Sequence, residues 1–419
     1  MIAMKSGHKP GQKRGHAEGK DRGEHVSRME PLLVAEGSRH RAELADLTLD
    51  LATKSARFQA SLPLGLIRPL SEAVRAMNCY YSNLIEGHDT HPVDIERALQ
   101  KDYSADAEKR DLQLEAIAHI TVQKWIDGGA LKGTGFSVAA AREIHRRFCE
   151  LLPEDLLRVE DPHVAGRITV EPGEFRNRDV KVGNHAAISP GAIVRFMQRF
   201  EEVFGGAGRA EAILATASAH HRLLWIHPFL DGNGRVARLM SHAQMLEFAD
   251  SGGVWSIARG LARNVGRYKE LLANCDLQRR NDLDGRGNLS EEALAEFTRF
   301  FLNTCVDQVA FMETLMQPER LRARVLIWAE EEIRLGSLPA RADRLLEALL
   351  YRGEIPRSDV VSLLDASERT ARRVSSALLQ QGVLTSESPK APLTLAFPAA
   401  LAARWMPGLF PEAPRVNPA

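Results

Sequence analysis

Apolar side chains recur at steps of three and four along most of this 419-residue chain, and that spacing admits helices and little else. From Leu66 to Gly87 the stripe runs Leu70, Val74, Met77, Tyr81, Leu84 and Ile85. Gly87 supplies a helix stop, and Pro92 opens the next helix within its first turn. Helical patterns follow at 111–127, 137–151, 190–204, 210–226, 235–248, 266–275 and 290–316, so the main body is expected to be all-α. At about 100 to 200 residues per domain, the length predicts two or three domains.

The pattern breaks once inside the body. Pro162, Gly166, Pro172, Gly173 and Gly183 separate or flank two alternating segments, Arg167 to Val170 and Asp179 to Val182, which read as a β-hairpin projecting from the helices. After Pro318 a smaller unit begins. Helices at 341–351, 356–364 and 368–381, a turn at Asp365-Ala366-Ser367 and strands at 383–384 and 393–395 read as a winged helix-turn-helix. The expected divisions are a disordered basic tail (1–30), an N-terminal helical region (31–130), a core with its following helices (131–320), the C-terminal unit (321–410) and a frayed, proline-rich end (411–419).

Charge and cysteine usage narrow the classes of function. Lys plus Arg number 55 and Asp plus Glu number 55, so no whole-molecule attraction to nucleic acid or anionic lipid is expected. No run approaches the ~20 apolar residues of a membrane span. The basic N-terminus lacks a following apolar stretch, so no secretory leader is read there and the expected location is cytoplasmic. The four cysteines have no C-x-x-C spacing and are expected to be buried thiols in a reducing compartment.

One segment carries chemistry: Ile226-His227-Pro228-Phe229-Leu230-Asp231-Gly232-Asn233-Gly234-Arg235-Val236-Ala237-Arg238. Pro228 ends one helix, and Gly232-Asn233-Gly234 opens another with backbone N–H groups free to converge on an anion, for which phosphate is the natural guest. Arg235 and Arg238 can fork around phosphate oxygens. Asp231 would repel phosphate unless a divalent cation lay between them, which implies Mg²⁺. His227 titrates near neutrality in its unperturbed form and can accept a hydroxyl proton.

These residues resemble the Fic family, whose motif H-x-F-x-[DE]-G-N-G-R-x-x-R is met at His227, Phe229, Asp231, Gly232, Asn233, Gly234, Arg235 and Arg238. The resemblance implies a helical bundle with a small β-hairpin flap, and transfer of AMP from ATP to a Ser, Thr or Tyr hydroxyl of a target protein. It makes His227 the general base and Asp231 the Mg²⁺ ligand at the α and β phosphates. It also makes Gly232, Asn233 and Gly234 the phosphate cradle, Arg235 and Arg238 the ligands of the outer phosphates, and Phe229 a core anchor for the loop. Gly234 stands where the phosphotransferase branch has lysine, which favours nucleotide transfer.

A second stretch, Ser82-Asn83-Leu84-Ile85-Glu86-Gly87, is similar to the family's inhibitory motif [ST]-x-x-x-E-[GN]. Ser82 and Glu86 are four apart and share a helix face. By resemblance Glu86 pairs with Arg238 and blocks productive ATP binding; breaking a buried pair of this kind costs about 3 to 5 kcal/mol. In some relatives the same glutamate positions water to remove AMP. The hairpin resembles the family's flap, and the edge at Val180, Lys181 and Val182 would pair with an extended target segment. Tyr268 and Leu271 fall where relatives shape an adenine pocket, although their spacing also suits a helical core.

Other signals carry less. Asp282-Leu283-Asp284-Gly285 begins like a calcium loop, but Arg286 and Ala293 occupy ligand positions, so a capped turn is expected. His220 and His221 are expected to be satisfied inside their helix. The C-terminal unit holds Arg369, Arg372 and Arg373 on its third helix, yet residues 341–390 carry eight Lys/Arg against seven Asp/Glu, a weak footprint for DNA. Two functions therefore stand side by side: an auto-inhibited adenylyltransferase, and a DNA-binding transcriptional regulator with a nucleotide-sensing Fic core. Relatives often dimerise, which leaves a homodimer open.

Overall fold

The structure is a computed structural model that describes residues 20–160 and 166–411. The expected disorder of 1–19 and of 412–419 lies outside the described residues. An N-terminal layer is built from α1 (Arg41–Ser61), α2 (Leu64–Glu86), α3 (Pro92–Leu99) and α4 (Ala107–Asp127). The stripe that predicted α2 is the buried one: Leu70, Val74, Met77, Tyr81 and Ile85 all face the core. Gly87 ends the helix at φ +94°, with its N–H on Leu84 O and the His88 N–H on Asn83 O, a left-handed cap that glycine adopts without strain.

The middle of the chain runs through α5 (Val138–Glu150), short strands β1 (Arg158–Glu160), β2 (Arg167–Thr169), β3 (Lys181–Val182) and β4 (His185–Ala186), then α6 (Ile193–Phe204), α7 (Arg209–Ile226) and α8 (Asn233–Phe248). From Ala212 to Ile226 only Leu224 escapes full burial, so α7 is a central helix buried on all sides, its polar Thr216, Ser218, His220, His221 and Arg222 included. It packs antiparallel-fashion beside α8, and together they present the loop between them at one end of the bundle.

The flap differs from the expected single hairpin. Arg167–Thr169 pairs with Arg158–Glu160, while Lys181–Val182 pairs with His185–Ala186 across a two-residue Gly183-Asn184 turn. The reason lies between them: the Arg176 N–H bonds Pro228 O and its guanidinium is buried, which pulls residues 173–178 into the body and keeps β2 and β3 from meeting.

The expectation that all of 1–30 is disordered also fails for its last part. The Glu24 carboxylate accepts the Ser189 N–H at 2.9 Å, Met29 is fully buried beside α6, and Glu30 O accepts the Leu289 N–H. A short segment with one large apolar side chain suffices to dock when its carboxylates find a helix edge.

Beyond the loop come α9 (Ala258–Arg263), α10 (Val265–Asn274), α11 (Glu291–Leu315) and α12 (Pro318–Arg334). The Asp284 turn is capped as expected, its carboxylate accepting from Ser290 Oγ and the Glu292 N–H. The C-terminal unit holds α13 (Ala342–Arg352), β5 (Glu354–Ile355), α14 (Val360–Leu364), α15 (Glu368–Gln380), β6 (Leu384–Thr385), β7 (Leu393–Leu395) and α16 (Ala402–Trp405). Its sheet has the order β5-β7-β6, all antiparallel; β5 was too short to read from sequence. This unit is not walled off at residue 321. One apolar core runs from α1 and α2 through α11 and α12 into α13, α15 and β7, and a Cβ on Gly65 of α2 would come within 2.5 Å of the Gly353 backbone. A second core lies around α5–α8. All four cysteines are buried and free, and no helix among the described residues is long and apolar enough to cross a membrane.

Candidate active site

The end of α7 is where the backbone departs from helix. His227 sits at φ 51°, ψ 61°, a left-handed conformation uncommon for a residue with a Cβ and sustained only where neighbours hold it. The holder is Arg176. Its Nε donates to His227 O at 2.7 Å, and its Nη atoms reach Arg178 O and Ile188 O at 2.7 Å each, and Ile226 O at 3.3 Å. Burial pushes this guanidinium down to about 10, still charged at neutral pH. Four carbonyls are thus tied to one cation, and the turn leaving α7 is fixed.

The His227 ring lies 3.3 Å through Nδ1 from Leu224 O. That contact assigns the proton to Nδ1 and leaves Nε2 with a lone pair. Burial, reinforced by the charge of Arg176, pushes the imidazole down to about 4, so at neutral pH it is an uncharged base.

Phe229 anchors the loop as expected. It is fully buried and stacks on His145 with centroids 4.0 Å apart and planes 3° from parallel. His145 Nε2 donates to Asp231 O at 3.3 Å and its Nδ1 accepts the Gly173 N–H at 2.9 Å, so one neutral ring bridges the α7–α8 loop and the base of the flap. The Asn233 side chain closes the loop from inside: Oδ1 accepts the Phe229 N–H and Nδ2 donates to Phe229 O. Only its backbone is left for an anion.

The opening turn of α8 is already covered by a carboxylate. A Cβ at Gly234 would lie 2.3 Å from Glu86 Oε1 and 3.1 Å from Arg238 Nη1, so glycine is required for Glu86 to sit there. Arg238 Nη2 is 2.5 Å from Glu86 Oε1, and its Nε donates to Ser82 Oγ at 2.8 Å. Ser82 and Glu86 therefore meet Arg238 from the one helix face on which their spacing put them. Burial alone would raise the Glu86 carboxyl, but the charge and hydrogen bond of Arg238 outweigh it and hold it below its usual range. The pair is buried on one side only: the Arg238 side chain is 3% exposed and that of Glu86 36%. Solvent screens such a pair more than one enclosed on both sides.

Arg235 turns the other way. Its Nη2 donates to Asp231 Oδ2 at 2.9 Å, its Nη1 to Glu115 Oε1 at 3.3 Å, and its guanidinium lies 4.7 Å from the Phe148 ring centroid. The Nε is buried without a partner. Among the described residues no three His, Cys, Asp or Glu side chains gather as a metal cage, so a divalent ion would have Asp231 from the protein and take its other ligands from phosphate and water, a donor set suited to Mg²⁺.

The flap faces the base. His227, Leu230, Val180, Lys181, Val182 and Ile168 line one cavity of about 620 Å³. A second, of about 710 Å³, adjoins it across Ile168, Arg178 and Leu230. Tyr268 and Leu271 are buried, 2% and 1% exposed, with the Tyr268 hydroxyl 2.7 Å from His220 Nε2. Their helical stripe packs inward against α7 and α11.

The sequence did not point to Arg176, His145 or Glu115. The latter two left a cue, since each is a polar residue with apolar neighbours on its helical stripe: Ala141, Ile144 and Phe148 around His145, and Val122 and Ile126 following Glu115. Arg176 left none, because nothing in its spacing marks a loop arginine as buried.

Helix α7, most of α8, the left-handed His227 and the Gly232–Gly234 turn fall inside residues 135–245, which match the Fic/DOC family model from just before α5 into α8. The chain is similar to the protein adenylyltransferase Fic of Drosophila yakuba, 28% identical over 184 residues that make up 43% of this chain and 34% of that protein. The protein adenylyltransferase Fic of Drosophila willistoni is 28% identical over 205 residues, 48% of this chain and 38% of its own. The matched region thus spans little more than a third of these relatives. In fold the chain is similar to Fic-1 (residues 134–508) of C. elegans, with a TM-score of 0.50 and 18% identity, covering 66% of this chain and 73% of that one.

Proposed function

We propose that this protein is an auto-inhibited protein adenylyltransferase that moves AMP from ATP to a Ser, Thr or Tyr hydroxyl of a target protein. The observation that carries the reading is His227 lining the flap cavity, with its Nδ1 3.3 Å from Leu224 O, on the loop that leads into the Gly232–Gly234 turn. In the proposed reaction Nε2 takes the hydroxyl proton, the oxygen bonds to the α-phosphorus, and the bond to the β-phosphate breaks to release pyrophosphate. Backbone N–H groups at Gly232–Gly234 and the guanidinium of Arg235 would hold phosphate oxygens, and Arg238 would join them once Glu86 leaves. Asp231 would hold Mg²⁺, which when bound neutralises phosphate charge as the leaving group departs. The edge at Val180–Val182, beside His227, is the surface against which a target segment would extend. Transfer of label from α-labelled ATP tests the reading: Glu86→Gly protein should label itself or lysate proteins, and His227→Ala in that background should not.

The exposed arginines of α15 support a second role for the C-terminal unit, which we read as a winged helix. Arg369 and Arg373 project to solvent beside Arg372, whose one ion pair is a 3.6 Å contact with Glu368. DNA binding through this face predicts retention in a gel shift that weakens steeply with salt and is lost in Arg372→Ala/Arg373→Ala protein.

A further inference from the structure

The end of α2 is fastened to the pocket twice. Glu86 meets Arg238. Two residues on, past the Gly87 cap, His88 Nδ1 lies 2.6 Å from Glu115 Oε2, while the other oxygen of the same carboxylate accepts from Arg235. Glu115 is 8% exposed and comes from α4, outside the sequence motif. Each motif arginine is therefore linked to the tip of the inhibitory helix, one directly and the other through a single buried carboxylate.

We propose that Glu115 is a positioning residue shared by the pocket and its brake: it orients Arg235 for phosphate and, through His88, latches the end of α2 across the site. This rests on the adenylyltransferase reading above and adds to it a second, titratable fastening. The side chains of Asp231 and Glu115 hold two of Arg235's nitrogens, and the Phe148 ring packs against the guanidinium, so Glu115 fixes it from the buried side while Asp231, whose side chain is 51% exposed, holds it from the solvent side. On the other side, His88 is faced by Glu115 of α4, by Arg235 of α8 and by Glu86 at the end of α2. The hydrogen bond to Glu115, opposed by burial and aided by that residue's charge, raises the imidazole above its ordinary value. Glu115 is lowered in turn, the hydrogen bond of His88 and the charge of Arg235 outweighing burial. The two directions agree on an ion pair. A raised histidine contributes fully below its free value of about 6.5 and loses that contribution as pH rises through the raised one, so the latch loosens as pH climbs above the free value.

The test uses the full chain and α-labelled ATP. His88→Gln with Glu86 intact should label several-fold more than the native chain at pH 6.5, and should flatten the rise in native labelling between pH 6.5 and 8. In the Glu86→Gly background His88→Gln should change little, because the brake is already off. Glu115→Gln in that background should raise KM for ATP about tenfold with a smaller change in kcat, the loss of one charge-assisted hydrogen bond that orients a ligand-binding group. Native-like labelling and pH dependence in His88→Gln overturn the latch, and an unchanged KM overturns the positioning role. NMR titration of the His88 ring gives a readout independent of transfer: its pKa should be raised in the native chain and fall in Glu115→Gln, and an ordinary value in the native chain overturns the proposal. If Glu86→Gly labels nothing at any pH, the transfer reading fails, and the His88 titration still decides whether the latch exists.

Discussion

Glu86 Oε1 lies 2.5 Å from Arg238 Nη2 and occupies the space a side chain at Gly234 would fill, so one carboxylate both neutralises the second motif arginine and covers the opening turn of α8. Glu86→Gly removes both effects. Labelling from α-labelled ATP should rise at least about tenfold, the scale of one engaged charge pair on a ligand site. Because Glu86 is held below its usual range, the contact stands above pH 4.5 and is lost only as pH falls through the lowered value. Acid in the range 5–7 should not mimic the substitution.

His227→Ala should cost about 10²–10⁴-fold in transfer by the Glu86→Gly protein, the usual contribution of a positioned base. With the imidazole pushed down to about 4, its protonation should not limit the rate between pH 6 and 8. A rate profile in the derepressed background checks this: a loss of activity with a midpoint near 6.5 would contradict the assigned environment of the ring.

Arg176 is 3% exposed and every hydrogen bond described for its side chain goes to a backbone carbonyl. Arg176→Ala should destabilise the fold by about 3 kcal/mol or more, because several buried carbonyls lose their donor. Lysine should rescue little, since a single ammonium cannot reproduce the planar fork. Denaturant unfolding of both variants gives the comparison.

Four histidines away from the base are buried and neutral: burial pushes His119 and His220 down to about 3, and His145 and His221 down to about 4. The unfolded chain binds protons near 6.5 and the folded chain does not, so stability should fall as pH drops from 6.5 towards 4. Thermal melts across that range should show Tm decreasing with acid, and a Tm independent of pH would contradict the burial.

Gly65 and Gly353 meet backbone to backbone, with no room for a Cβ on either. Gly65→Val should lower stability by about 1–3 kcal/mol through overpacking. Since α2 and the C-terminal unit share one core, the loss should appear in a single cooperative transition followed by tryptophan fluorescence, Trp255 lying against α1 and Trp328 against Trp405.

What could be read from the residues alone follows from how each interaction is encoded. The α2 stripe, the α7–loop–α8 motif and the Ser82–Glu86 spacing are local periodicities, and each lies where its period required. The flap pairing was misread because β2 and β3 are separated by Arg176, whose burial depends on carbonyls up to 51 residues away. Residues 20–30 were misread because Glu24 and Met29 are held by partners on α6 and near Ser189, a contact no local pattern announces. Tyr268 had two readings at the same spacing, and its burial between α7 and α11 is set by partners that no local period names. Glu115 shows the general limit: a charged residue on a buried helix stripe signals a partner but does not name it.

The central claim, that His227 deprotonates a hydroxyl while the Gly232–Gly234 turn holds ATP once Glu86 is gone, is met most directly by peptide mass spectrometry of Glu86→Gly protein incubated with ATP and Mg²⁺. The account predicts the mass increment of one AMP on a Ser, Thr or Tyr of this chain or an added target, absent when His227 is also alanine. No increment, or the same increment without His227, would contradict it.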